Sequence, residues 1–184
     1  MRILVDMDSI TVNLMKSWLG AHNEAQGDDL TVDRIKTWDT HLYAKGGHAV
    51  YDVLKKPGLF REAEPLPGAL EGIWTLQERG HDVFLVTAAE FPGNFSEKVE
   101  WVRDRLPSVG KRRLIFAHEK YLIPADALID DGPHNATAYR LHHHAAKILT
   151  IEYPYNKDCP AYSLIAPDWK DPAGAWERIL KELP

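Results

Sequence analysis

Cysteine is nearly missing from this chain: Cys159 is the only one in 184 residues. No internal disulfide and no cysteine-built metal site can form, and a reducing compartment, the cytoplasm, is the expected location. A basic surplus is missing too, since 22 Lys+Arg against 27 Asp+Glu leave a formal charge of −5. With Lys111-Arg112-Arg113 as its one short basic cluster, the chain is not expected to partner nucleic acid. Long apolar runs are absent as well. Met1-Arg2-Ile3-Leu4-Val5-Asp6 reaches a carboxylate after three apolar side chains, too few for a membrane span or a signal-peptide core, so no membrane partner is expected. There is no internal repeat and no low-complexity tract. A chain of this length buries about 70% of its unfolded surface, which suits one core with room for an insertion.

What is present is a set of short apolar runs that end in polar groups. Ile3-Leu4-Val5 precedes Asp6, Val83-Phe84-Leu85-Val86 precedes Thr87, and Ala127-Leu128-Ile129 precedes Asp130-Asp131. Continuous apolar runs are what parallel strands need when helices cover both faces, and ligands bind such sheets beyond the carboxyl ends of the strands. The polar ends are therefore expected to converge. Leu114-Ile115-Phe116 and the stretch from Lys147 to Tyr153 are further strand candidates. Helical spacing runs from Pro67 to Arg79 and stops at Gly80, Asn94 and Glu97 resemble a capping pair, and Asp171-Pro172 opens a terminal helix. The fold class is α/β: a three-layer, Rossmann-like parallel sheet. Residues 14–64 break the strand–helix rhythm and read as a helical insertion after the first strand, with residues 1–13 and 65–184 forming the core.

The chemistry is carried by carboxylates. Asp6 and Asp8 flank Met7 at one strand end, and Asp130-Asp131 stand at another. Such groups repel unless a cation or a shared proton intervenes, and magnesium, a hard cation that prefers oxygen ligands, is the simplest solution. Thr87 offers a hydroxyl and a backbone N–H, and Lys120 a compact positive charge, so the set can hold a phosphate group. His142-His143-His144 is a poor metal site, because successive helical residues point about 100° apart. Trp18, Trp74, Trp101, Trp169 and Trp176 read as packing residues.

In this order, Asp6-Met7-Asp8, Thr87, Lys120 and Asp130-Asp131 resemble the four motifs of the haloacid dehalogenase (HAD) superfamily of phosphohydrolases. Phe60, Glu64-Pro65-Leu66-Pro67-Gly68-Ala69, Glu97-Lys98 with Trp101-Val102, and Ala125-Asp126 resemble the 5′(3′)-deoxyribonucleotidase family within it. The resemblance implies a magnesium-dependent phosphatase acting on nucleoside, and most simply deoxyribonucleoside, monophosphates. Asp6 would be the nucleophile that forms an aspartyl-phosphate and Asp8 the general acid and base. Thr87 and Lys120 would grip the phosphate. The ion would be held by Asp6, Asp8 and Asp130, with Asp131 in support. The insertion would be a cap that selects substrate, with Trp38 and Phe60 as walls of a nucleobase slot and Ala88 and Lys98 also at the substrate. Ser9 stands where these enzymes commonly have Gly, Ala88 where a hydroxyl residue is usual, and Gly132 where mammalian members carry Arg. The departures at Ala88 and Gly132 keep a second substrate class, sugar phosphates or other small phosphate esters, in view. A non-enzymatic phosphoryl-accepting receiver module is a third reading, and a homodimer is compatible with the sequence.

Overall fold

The computed structural model describes residues 1–184. The apolar runs pair as expected. β1 (Arg2–Asp6) lies between β2 (Asp82–Thr87) and β4 (Ala127–Ile129), parallel to both, in a six-stranded sheet ordered β3-β2-β1-β4-β5-β6. β3 is Leu114–Phe116 and β5 is Lys147–Ile151. β6, Leu164–Ala166, adds a parallel edge that its three residues were too few to announce. Asp6 pairs with Val86, and Val5 with Ile129, so the carboxyl ends of three neighbouring strands open on one rim.

Both faces of the sheet are covered, which explains the unbroken apolar runs. Alternate residues serve alternate faces. Ile3, Val5, Val83, Leu85 and Ile129 join one buried cluster with α3 (Ala69–Glu78), α4 (Pro92–Arg105) and α6 (Pro172–Glu182). Leu4, Val86 and Leu128 face the other way and meet Ala136 and Tyr139 of α5 (Pro133–His142).

Between β1 and α3 the chain forms α1 (Leu14–Gln26), the single-turn α2 (Ala49–Asp52) and short 3₁₀ turns. Leu14, Trp18, Ile35, Val50 and Phe60 share the larger cluster with the sheet. Buried indoles stitch the parts together by donating to backbone carbonyls: Trp18 to Val50 at 2.7 Å, Trp101 to Ala63 at 2.8 Å and Trp176 to Ile10 at 3.1 Å.

Two local readings need correction. α4 is not capped by Asn94 and Glu97; it starts at Pro92 after an extended Phe91, and proline at the first helical position costs no hydrogen bond there. The Glu97 carboxylate instead accepts from the backbone N–H groups of Gly58 at 2.6 Å and Phe60 at 3.1 Å, tying that loop to α4. Trp74 is not a packing residue, since it is 57% exposed on α3. The Asp171 cap is as read, its carboxylate accepting from Gly174 N at 3.1 Å. No helix is long and apolar enough to cross a membrane.

Candidate active site

Asp6 closes β1, Asp130 and Asp131 follow β4 on the adjacent strand, and Lys120 lies on a 3₁₀ turn beyond β3. Parallel pairing therefore gathers residues far apart in sequence. Lys120 Nζ stands 2.6 Å from Asp130 Oδ2 and 2.8 Å from Asp6 Oδ1, and all these groups are buried. Asp6, Asp130 and Asp131 each offer a carboxylate oxygen within 4.8 Å of the others. Asp130 Oδ1 accepts from Gly132 N at 2.8 Å and Asn135 Nδ2 at 3.1 Å, and Asp131 Oδ2 accepts from the Tyr155 hydroxyl at 2.6 Å.

One lysine does not balance three carboxylates. Burial, with repulsion from Asp130 and Asp8, outweighs Lys120 and pushes the Asp6 carboxyl up to about 7. Burial and the same kind of repulsion raise Asp131 well above the usual carboxylate range. Burial opposes the charge on Lys120, but Asp130 and Asp6 overcome it and its pKa rises. A site short of positive charge and built of hard oxygen donors fits a divalent cation such as magnesium.

Asp8 belongs to a second pair. Its Oδ2 lies 2.7 Å from Lys98 Nζ, which also donates to Thr87 Oγ1 at 2.8 Å and to the Ala88 carbonyl at 2.7 Å. Asp8 Oδ1 is buried without a hydrogen-bond partner. The Asp8 side chain is thus turned to Lys98, while the buried carboxylate cluster consists of Asp6, Asp130 and Asp131. The ammonium of Lys98 also lies 4.6 Å from the centre of the Phe60 ring. Next to Asp8, Ser9 adopts φ 60°, a left-handed conformation that costs a residue with a side chain roughly 1–2 kcal/mol. Glycine would adopt that backbone without the cost.

Asp8 and Asp131 open into a cavity of about 280 Å³ walled by Trp38, Tyr51, Phe60, Ala88, Lys98 and Tyr155. Four residues read from the sequence as substrate contacts, Trp38, Phe60, Ala88 and Lys98, thus line one space together. Thr87 is fully buried and does not line it; its hydroxyl faces Lys98. Trp38, 47% exposed, packs against the rings of His134 at 4.7 Å and Tyr155 at 5.6 Å. A larger cavity of about 460 Å³ between Lys16, Tyr153 and Trp169 carries none of the carboxylates. In the histidine run, His143 Nε2 lies 2.7 Å from the Tyr121 carbonyl and His142 stacks on the Tyr121 ring.

Tyr155, Asn135 and Glu97 act around the site without having been singled out for it. The rule that strand ends converge would have flagged Tyr153-Pro154-Tyr155-Asn156 after β5.

With the geometry in place, the comparisons agree. The family model described as 5′ nucleotidase, deoxy (pyrimidine), cytosolic type C protein (NT5C) matches residues 1–174. A 5′(3′)-deoxyribonucleotidase from Clostridium acetobutylicum is 30% identical over 138 residues, covering 74% of this chain and 76% of the relative. Another from Bacillus subtilis is 27% identical over 156 residues, covering 85% and 87%. Among solved structures, a HAD-like family hydrolase from Xanthomonas campestris superposes with a TM-score of 0.58 at 14% identity, covering 100% of this chain and 96% of the other. The chain belongs to the 5′(3′)-deoxyribonucleotidase family of phosphoric monoester hydrolases, on a fold shared with HAD-like hydrolases.

Proposed function

We propose that this protein hydrolyses nucleoside monophosphates, deoxyribonucleotides foremost, through an aspartyl-phosphate on Asp6, with magnesium as its cation. The observation that carries the reading is a buried, charge-deficient carboxylate cluster lying beneath a largely apolar cavity with an aspartate at its wall.

In the first step an Asp6 oxygen attacks phosphorus, the bond to the ester oxygen breaks, and Asp8 gives its proton to the departing nucleoside oxygen. In the second step water attacks the same phosphorus, Asp8 takes the water's proton, and the acyl-phosphate bond breaks to free phosphate and Asp6. Asp8 is suited to this exchange because Lys98 fixes Oδ2 and leaves Oδ1 unengaged. Lys120 supplies positive charge beside the nucleophile, and the Ala88 backbone N–H is a candidate phosphate donor. Asp6 and Asp130 would hold the cation, with Asp8 through its backbone carbonyl and Asp131 in support. When bound, the cation offsets the repulsion between carboxylate and phosphate. Residues 14–64 act as the cap, with Trp38 and Phe60 offering faces for a base. The lone free cysteine accords with a cytoplasmic setting.

The test is inorganic phosphate release from dUMP, dTMP, UMP, a 3′-monophosphate and a sugar phosphate, with magnesium and with chelator. Magnesium-dependent turnover that favours deoxynucleotides is expected, with a loss of about 10³-fold or more in a folded Asp6→Asn protein. A fully active Asp6→Asn enzyme would end the mechanism, and equal turnover of sugar phosphates would end the substrate assignment.

A further inference from the structure

Tyr155 lies beyond the end of β5, at a strand end that the four acidic and phosphate-binding motifs do not include. Its hydroxyl donates to Asp131 Oδ2 at 2.6 Å in a buried setting. The ring that carries this hydroxyl is held on two sides. Tyr153 stacks on it at 5.2 Å with planes 11° apart, and Trp38 meets it at 5.6 Å in an edge arrangement. Tyr153 is itself anchored, since its hydroxyl donates to the Ser9 carbonyl at 2.8 Å. The backbone that bears both rings is pinned by Asn156, whose side-chain amide donates to the carbonyls of Asp131 at 3.2 Å and Ile151 at 3.0 Å. The phenol oxygen therefore has little freedom to leave Asp131.

A carboxylate with one oxygen fixed in this way presents the other in a set direction. Groups that orient metal ligands by hydrogen bonding typically change metal affinity about 10–100-fold when removed. Three carboxylates that repel one another need such restraint, because each would otherwise rotate away from its neighbours.

We propose that Tyr155 is a positioning residue: through its hydroxyl it orients Asp131 and thereby sets the affinity of the carboxylate cluster for a divalent cation. The inference rests on the cation reading of the site, and a direct binding measurement separates the two. Mn²⁺ serves as the probe, its binding to the full chain followed by electron paramagnetic resonance without substrate. Tyr155→Phe is expected to bind Mn²⁺ about tenfold more weakly than the unaltered protein. Tyr153→Phe removes a comparable buried hydroxyl that touches only a backbone carbonyl, and is expected to lose less than about threefold on the same basis. A merely structural contribution would weaken both variants alike, and that result, or unchanged affinity in Tyr155→Phe, overturns the assignment. Tyr155→Leu keeps an apolar side chain beside Trp38 and offers Asp131 no donor, so it gives a second variant that must show at least the same loss. An unaltered protein that binds no Mn²⁺ overturns the cation reading and this inference together, whereas binding that is indifferent to Tyr155 overturns the inference alone.

Discussion

Two aspartate–lysine pairs stand a few residues apart in one site and are built on opposite principles. Lys120 is buried among Asp6, Asp130 and Asp131, more negative charge than it can match. Lys98 faces Asp8 and is completed by the neutral oxygens of Thr87 and Ala88. The first arrangement is left short of positive charge, which suits it to a cation. The second is balanced and leaves one Asp8 oxygen without a partner beside the cavity, where a substrate can meet it. Charge stoichiometry, more than the identity of the residues, separates the two tasks.

The strongest way to break this contrast is to delete each lysine. Lys120→Met strands buried carboxylates without their counter-charge and is expected to cost about 3–5 kcal/mol in urea unfolding. A loss under about 1 kcal/mol would mean that the cluster does not depend on Lys120. Lys98→Met should leave more stability, because the Asp8 side chain is 28% exposed and water can take over part of the lysine's role. Its effect belongs in turnover, with kcat falling about 10²-fold as the proton carrier loses its orientation. Equal unfolding costs for the two variants would erase the distinction.

A smaller effect sharpens the comparison through pH. In the metal-free fold Asp6 holds its proton up to about 7, while the unfolded chain releases it near the ordinary value of 3.8. Between those values the folded state binds more protons, so its stability falls as pH rises through that window. Asp131 is shifted in the same direction and adds to the trend. Thermal unfolding in chelator is expected to show a lower midpoint at pH 8 than at pH 5.5, and magnesium should raise the midpoint more at pH 8. A magnesium effect that is the same at both pH values would show that cation and protons do not compete for these carboxylates.

Much of this was legible in the sequence because chemistry and fold coincide at strand ends. Apolar runs that stop at Asp6, Thr87 and Asp130 announce both the sheet and the rim on which the site sits. Trp38 and Phe60 were picked out through the family resemblance, as flat faces for a base, and both do line the cavity. What stayed hidden was of two kinds. β6 is three residues long and gains its identity only from pairing with β5. Glu97, Asn135 and Tyr155 act by contacts across long sequence separations, and nothing local distinguishes a glutamate that binds a distant loop from one that caps its own helix.

Gly132 shows how tightly such contacts fill the turn after the acidic pair. A Cβ at this position would lie 2.9 Å from His134 Cε1, 3.0 Å from Asn135 Nδ2 and 3.1 Å from Asp130 Oδ1. Any side chain at 132 therefore meets two side-chain ends and a carboxylate at once, and those neighbours must shift to admit it. If Asn135 shifts, its hydrogen bonds to Asp130 shift with it. Room for a side chain at 132 is thus set against the hydrogen bonding that steadies an acidic residue of the site, so that the smallest residue in the turn helps to fix the direction of a carboxylate.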